Sequence, residues 1–513
     1  MSSAPTAKNK DSAFAELGLA KTVQAVCEEI RELYQWDEIP WVIGYSGGKD
    51  SSAVLQLIWL AIRELPPEKR SKPIHVISTD TLVEQPVVAA WVSASHKKMQ
   101  ASAAEQGMPI TPHKLTPDVK DTFWVNLIGK GYPAPRKLFR WCTSRMKINP
   151  SNTFIRKVVQ ECGEAILVLG TRKAESQRRG LNMAKLELKR VRERLTPNKS
   201  LPNSLVYTPI EDWTNDDVWL FLMQVKNPWG HTNKSLLGMY QGASTDGECP
   251  LVVDTTTPSC GNSRFGCWVC TVVDKDRSME AMIKNDDEKV WMTPLLELRN
   301  DLGDFSKEPE RRDYRRMSGR VQIFHDGLIR GPYTKESREY WLRRVLEAQR
   351  DVRELGPSEF RDIELISLPE LHEIRRIWLY EKHEFDDSLP TLYEEIGGDA
   401  FPVTVSDDTL LRSEDWSILE EVCGGDQELF QLQASLLDIE REFRGMSRRA
   451  GIFEALEDRL RTGQYASEEE ALTIRKDEEQ RRLEAEKDLE STTFKQGVLF
   501  DLGESEETAQ VFE

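Results

Sequence analysis

None of the 513 residues belongs to an apolar run long enough to cross a membrane. The nearest candidate, AVLQLIWLAI from Ala53 to Ile62, is ten residues long and reads as a buried helix. The opening MSSAPTAKNKDSAFAELG lacks the apolar core of a signal peptide, which predicts a cytoplasmic location. Cysteine is sparse: eight residues are too few for a disulfide scaffold, and their clustering suits metal binding or catalysis in a reducing compartment. An excess of positive charge is also missing. A formal net charge of -17 argues against a protein that coats nucleic acid along its whole surface. No internal repeat is visible.

The charge that is present is unevenly placed. From Lys130 to Lys147, KGYPAPRKLFRWCTSRMK carries six Lys or Arg and no acid. From Arg172 to Lys199 ten basic residues stand against three acids. These stripes predict local anion sites in an acidic chain. The stretch SEEEALTIRKDEEQRRLEAEKDLE is rich in both signs and reads as a solvated or partner-binding helix. The length predicts two or three domains, and a hydrophobic fraction of 39% supports a buried core.

Apolar spacing predicts an amphipathic helix over AKTVQAVCEEIRELYQ, with Cys27 on its core stripe. Three apolar runs, WVIGYS, IHVISTD (Ile74 to Asp80) and AILVLG (Ala165 to Gly170), read as strands. Helices are predicted from Asp50 to Glu64 and through VVAAWVSASHKKMQASAAEQ. Strands alternating with helices imply an α/β fold, a parallel twisted sheet flanked by helices. Ligands bind such sheets at the carboxyl ends of the strands, here Ser46, Thr79-Asp80 and Gly170-Thr171-Arg172. Thr214 is expected to cap a further helix, with Asp217 in its first turn. Beyond Ser278 the sequence is largely helical and charged.

The most specific signal is GYSGGKDSS, Gly44 to Ser52. A strand that turns through Ser46, Gly47, Gly48, Lys49, Asp50, Ser51 and Ser52 into a helix points several backbone N–H groups outward together. Glycine permits the positive φ of such a nest, and the helix N-terminus, Lys49 and the hydroxyls favour a bound phosphate. The spacing of a Walker A loop is absent. Asp50 has two readings, a Mg²⁺ ligand or a carboxylate favoured by the helix dipole.

SGGKDSS resembles the PP-loop of ATP pyrophosphatases, the group that contains PAPS reductases, the ATP sulfurylase small subunit and tRNA thiolases. The resemblance implies an adenine nucleotide α-hydrolase-like fold and cleavage of ATP between its α- and β-phosphates, with the loop holding pyrophosphate. STDTLVEQP, WCTSRMKINP, GTRKAESQRRG and PIEDWTNDDVW agree with PAPS-reductase-like members. By that analogy Asp80 and Gly170 border the nucleotide, while Lys147, Arg172 and Arg178 handle phosphates. Forked guanidinium groups beside a splitting pyrophosphate would stabilise its growing charge.

Cys249, Cys260, Cys267 and Cys270 follow the spacing C-x10-C-x6-C-x2-C. Four thiolates suit zinc or an iron–sulfur cluster, and spacing alone does not choose. A single close pair, with Phe265 and Trp268 to shield a pocket, favours [4Fe–4S]. Cys142, between Arg140 and Arg145, sits where a basic flank would lower a thiol pKa, so it reads as a reactive sulfur carrier, as a ligand in place of one of the four, or else as a packed cysteine. Cys162 and Cys423 read as structural.

Together with PLLELRNDL, RRDYRRMSGRVQ and GLIRGPYT, these features resemble the DndC family, the iron–sulfur PP-loop proteins of bacterial DNA phosphorothioation. That resemblance implies sulfur replacing a non-bridging phosphate oxygen of DNA, with ATP, Mg²⁺ and a [4Fe–4S] cluster as cofactors. Implied partners are DNA, a cysteine desulfurase, a DndD-like ATPase and a small DndE-like DNA-binding protein. The rival readings are a PAPS or APS reductase-like enzyme, a tRNA thiolase and a zinc-containing nucleic-acid-binding module. The expected domains are an N-terminal helix (1–38), a PP-loop domain (39–235), a cysteine-rich segment (236–275), a basic helical extension (276–405) and a charged helical region (406–513).

Overall fold

A computed structural model describes residues 12–192, 194–198, 200–243, 266–324, 327–384, 386–402, 413–444, 449–461, 465 and 467–495. The chain divides into two compact units, Met1–Lys307 with Lys335–Asp407, and Glu308–Thr334 with Asp408–Glu513.

The first unit begins with α1 (Gly18–Trp36), β1 (Trp41–Gly44), α2 (Lys49–Arg63), β2 (Ile74–Thr79), α3 (Pro86–Glu105) and β3 (Ile110–Leu115). It continues with α4 (Asn149–Cys162), β4 (Ala165–Val168), α5 (Gln177–Glu187), β5 (Thr196–Pro197) and β6 (Ser204–Tyr207). Then come α6 (Asn215–Gln224), α7 (Asn233–Gly242), α8 (Arg277–Asn285) and α9 (Thr293–Leu302). Past α10 (Glu308–Arg311), β7 (Ile323–Phe324) and β8 (Gly327–Leu328), the chain forms α11 (Lys335–Leu355), α12 (Leu368–Tyr380) and α13 (Ser388–Gly397). The last helices are α14 (Ser413–Val422), α15 (Gln427–Arg444), α16 (Ile452–Arg461) and α17 (Glu468–Lys495).

One sheet organises the first unit, in the order β3-β2-β1-β4-β6-β5, all parallel except β5 at the edge. Trp41, Val42 and Ile43 of β1 are fully buried, because the strand is covered on both faces and so reads as an unbroken apolar run. The α/β fold and the three strands expected from the sequence are present. β3, missed there, contains Pro112 and little apolar alternation; it is the other edge strand, where a missing N–H is tolerated. The expected capping of α6 is reciprocal: Asp217 N–H donates to Thr214 Oγ1 at 3.1 Å, and Thr214 N–H to Asp217 Oδ2 at 2.8 Å.

Cys27 and Cys423 are buried. Cys162, expected to be structural, is exposed at the end of α4, where Gly163 (φ 85°) turns the chain away.

The helices after the sheet are locked to it by tryptophan. Trp124 Nε1 donates to the Leu365 carbonyl at 2.7 Å, and Trp378 Nε1 of α12 donates to the Ile128 carbonyl at 3.0 Å. The acceptor lies in a π-helical turn, Val125–Gly129, whose widened backbone is fully buried. Within the second unit, Arg330 grips Glu468 of α17 through two bonds of 2.8 and 2.6 Å, beside a small core of Val321, Tyr465 and Ala471.

Trp378→Phe keeps most of the packed ring but strands the Ile128 carbonyl, which should lower stability by about 1–3 kcal/mol. Thermal unfolding would register this as a fall in Tm, whereas Trp36→Phe, at a site 75% exposed, should leave Tm unchanged.

Candidate functional site

β1 and β4 are neighbours, and the connection leaving β1 runs to β2 on one side whereas that leaving β4 runs to β5 and β6 on the other. The crevice of an open α/β sheet forms at such a switch point. The parallel register sets Ser46, Asp80 and Gly170 at the carboxyl edge of three adjacent strands. Tyr45 N–H donates to the Ile77 carbonyl at 2.9 Å, carrying the pairing into the loop itself.

The loop has the geometry of a phosphate nest. Gly47 has φ 74°, and a Cβ there would meet Val92 Cγ2 at 2.6 Å, so both backbone and space demand glycine. Gly48 caps α2 in extended conformation. Trp91 Nε1 holds the Gly47 carbonyl at 3.1 Å, turning that oxygen away from the amides. Ser51 Oγ donates to the Gly48 carbonyl at 3.1 Å and accepts from Ser46 N–H at 3.2 Å, while Ser52 N–H starts the helix on Gly48. The first-turn amides of α2 have no intrahelical acceptor and point at the crevice.

Asp50 binds two cations. Its Oδ2 lies 3.0 Å from Lys49 Nζ and its Oδ1 2.7 Å from Nε of Arg172, which is only 4% exposed. Arg172 also donates to the Trp213 carbonyl at 3.3 Å. Gly170 allows this approach: a Cβ there would stand 2.9 Å from the Asp50 carbonyl. Tyr240 closes the other side, its hydroxyl 3.4 Å from Lys49 N. Burial pushes the Tyr240 phenol up to about 12, so it stays neutral and able to donate. Nothing in the sequence around Tyr240 marked it; only the return of α7 brings it here.

Beside the loop, Arg178 lines a recess of about 400 Å³ with Thr171, Ser176 and Arg179. A second cavity of about 450 Å³, lined by Trp91, Met239, Met282 and Lys289 among others, lies between α3, α7 and α8. Asp80 accepts from Leu82 N–H at 2.8 Å and pairs with Lys114 at 2.7 Å. Several basic residues of the Arg172–Lys199 stripe are internally paired: Lys173 with Asp212, Arg190 with Glu211, Arg194 with Glu29.

The cysteine loop docks on the chain that leaves β2. Trp268 N–H donates to the Val83 carbonyl at 3.0 Å, and Thr81 Oγ1 lies 3.3 Å from Cys267 Sγ. Lys147 reaches Glu84 at 3.5 Å from a π-helical turn, Thr143–Ile148. Burial works against the Lys147 ammonium, but the charges of Cys267 and Glu84 outweigh it and raise its pKa. Lys147, expected at a phosphate, therefore stands beside the cysteines. Leu82, between Thr81 and Val83, adopts a left-handed φ of 63°, an uncommon conformation for leucine.

Cys267 and Cys270 form one tight turn, with Cys270 N–H donating to the Cys267 carbonyl at 3.0 Å. Cys249 and Cys260 lie outside the described residues. Among the described residues, no group of three His, Cys, Asp or Glu side chains is arranged to hold a metal ion. Cys142 departs from the sequence expectation. Burial and the neighbouring Cys270 push its thiol up, outweighing the nearby Lys147, so the basic flank does not create a low-pKa thiol.

Arg172→Ala would leave Asp50 with one cation in place of two and open a buried hole, at about 3–5 kcal/mol if it behaves as a broken buried pair. Gly170→Ala should push α2 off the strand and weaken nucleotide binding without removing any polar group. Equilibrium binding of ATP to both variants, beside thermal unfolding, checks this: normal affinity in Gly170→Ala would show that the close approach is dispensable.

The model of the phosphoadenosine phosphosulfate reductase domain matches residues 40–272. The uncharacterized protein MJ0066 of Methanocaldococcus jannaschii is 23% identical over 262 residues, 51% of this chain and 42% of that protein. The chain therefore spans less than half the length of this curated relative. Among solved structures, the chain is similar to a PAPS reductase from Candida auris in phosphate complex, at 15% identity, covering 42% of this chain and 89% of that one with a TM-score of 0.25. It is also similar to an FMN adenylyltransferase of Candida glabrata in complex with FAD and inorganic pyrophosphate, at 13% identity, covering 47% and 65% with a TM-score of 0.25. The segment from residue 40 to 272, which contains the phosphate loop, is thus similar to the phosphoadenosine phosphosulfate reductase domain.

Proposed function

We propose that the chain is an ATP pyrophosphatase of DNA phosphorothioation, which adenylates a backbone phosphate of DNA so that sulfur can replace a non-bridging oxygen. The observation that carries the catalytic part is the glycine nest at Gly47–Gly48, joined through Asp50 to the buried Arg172. A site of this shape holds a pyrophosphate by main-chain amides and meets its developing charge with fixed cations.

A phosphodiester oxygen is a poor leaving group, and its charge repels a sulfur nucleophile. In the proposed sequence that oxygen attacks the α-phosphorus of ATP, and pyrophosphate leaves into the Ser46–Ser52 loop. Lys49 turns from Asp50 to the departing phosphates, and Arg172 keeps Asp50 in place. Arg178 offers a further guanidinium from its recess. The acceptor phosphate has then lost its negative charge at that oxygen, and AMP has become its leaving group. The terminal sulfur of a persulfide, carried on Cys142, attacks phosphorus and expels AMP. An external thiol then takes the carrier sulfur as a disulfide, freeing the thiophosphate.

Asp50 would hold Mg²⁺, which neutralises phosphate charge. Cys267 and Cys270, with Cys249 and Cys260, offer the soft donors that an iron–sulfur cluster prefers, and such a cluster would supply electrons or sulfide to the transfer. A cysteine desulfurase is the natural source of the persulfide, and DndD-like and DndE-like proteins are the proposed partners.

The domain match supports a second reading, a PAPS or APS reductase-like enzyme in which a thiol attacks a sulfonate. The extension of α8, α9 and α11–α13, which exceeds the matched segment, favours the first.

ATP labelled at separate phosphates tests the proposal. With a DNA acceptor, pyrophosphate should be released, and Lys49→Ala should slow this by roughly two to three orders of magnitude, as for loss of one transition-state donor. Release of orthophosphate and ADP, or sulfite formation from adenylylated sulfate, would refute it. Cys142→Ser should abolish sulfur incorporation, read by mass spectrometry of DNA nucleotides, while pyrophosphate release persists.

A further inference from the structure

We infer that the hairpin Arg136–Phe139 is a wedge that grips duplex DNA and inserts between its bases beside the cysteine loop. The inference rests on the reading above that DNA is the acceptor.

The hairpin is closed by two bonds: Arg136 N–H donates to the Phe139 carbonyl and Phe139 N–H to the Arg136 carbonyl, each at 3.0 Å. Only Lys137 and Leu138 remain at the tip. Its base is held from three directions. Trp141 Nε1 donates to the Pro133 carbonyl at 3.0 Å, Thr271 Oγ1 donates to the Pro135 carbonyl at 2.6 Å, and the Arg136 guanidinium lies 4.7 Å from the centre of the Phe305 ring. Trp141 in turn stacks on Phe123, 5.5 Å between centroids.

On this fixed base the tip exposes apolar surface. Leu138 is as open as in an extended peptide, at 101% exposure, and Phe139 beside it is 42% exposed. A single exposed leucine is ordinary. Two adjacent large apolar side chains on a braced two-residue turn are not, since nothing in the first unit's core gains from them. Their flanks decide the partner. Lys137 and Arg140 are both exposed, and neither has an ion-pair partner among the described residues, unlike Lys173, Arg190 and Arg194 in the second basic stripe. An apolar tip between unpaired cations matches a polyanion with a stacked apolar interior. Architectural DNA-binding proteins part a base step with Leu or Phe in this way while Lys and Arg hold the phosphates.

The position gives the wedge a purpose. Thr271, which braces the hairpin, follows Cys270 directly, and Cys142 lies two residues after Arg140. A backbone gripped at Lys137 and Arg140 is thus brought to the sulfur-handling residues. Opening the neighbouring base step would turn one phosphate out of the regular helix and make its oxygens accessible.

The test uses the full chain, purified anaerobically, and a DNA duplex carrying 2-aminopurine. Binding should raise 2-aminopurine fluorescence. Leu138→Ala should abolish that rise while leaving the salt slope of binding unchanged. Lys137→Ala with Arg140→Ala should reduce the magnitude of the slope by about 2, because each of the two cations neutralises one phosphate. Thermal unfolding of Leu138→Ala should match that of the natural protein, because the side chain is fully exposed, showing that the fold is intact. A fluorescence rise that survives Leu138→Ala, or duplex binding with no rise in the natural protein, would overturn the wedge. So would an unchanged salt slope in the double variant, or a preference for duplex RNA, which would assign the tip to another partner. Absence of pyrophosphate release with a normal fluorescence response would instead refute the proposed adenylation and leave the wedge standing.

Discussion

The carboxylate of Asp50 joins parts of the chain that are far apart in sequence. Its two oxygens hold Lys49 and Arg172, and the second of these bonds ties the turn after β4 to the first turn of α2. Arg172 is almost wholly buried, so its charge has no alternative solvation and the pair is held in place by the cost of breaking it. The contact needs the backbone at Gly170 to lie against the Asp50 carbonyl, which any side chain would prevent. The nest at Gly47 and Gly48 is therefore braced from the neighbouring strand.

The same crevice is wired to the cysteine loop by a short strap. Asp80 leaves β2 at the nucleotide edge, and within four residues the chain meets Cys267 through Thr81 and Glu84 and Trp268 through Val83. Leu82 in the left-handed region is the bend that makes this reach possible. On the proposed reading, a phosphate site and a sulfur site are thereby built on consecutive residues of one segment, with Lys147 in the π-helical turn Thr143–Ile148 and Cys142 directly before it. A compact arrangement of this kind suits two reactions performed in sequence on one bound acceptor.

Charge is used locally in a chain whose net charge is -17. The two basic stripes looked alike in sequence, but their surroundings separate them. Acids from α1 and its end, and from the turn before α6, neutralise much of the second, at Lys173, Arg190, Arg192 and Arg194. The first keeps Lys137, at a hairpin tip, and Arg140, just beyond it, without an ion-pair partner among the described residues. Composition could not distinguish these cases, because the neutralising acids come from other elements.

Much of the sheet and the phosphate loop was readable from local pattern. Apolar runs made β1, β2 and β4 visible, and the two glycines with Lys and Ser at a strand-helix junction announced the nest, since each of these signals depends on a few adjacent residues. β3, with its proline, escaped because an edge strand does not need the pattern of a central one. The ionisation of the Cys142 thiol is not legible locally for a related reason. Its basic neighbours are close in sequence, but burial and Cys270 govern its ionisation. Tyr240 and Trp91 carried no signal, for each enters the site only when a helix distant from the loop in sequence packs there. Local chemistry thus named the loop and the kind of anion it suits. Which carboxylate would hold which cation, and which cysteine would meet which strand, followed from long-range packing, because those pairings form between segments that touch only after the sheet has assembled.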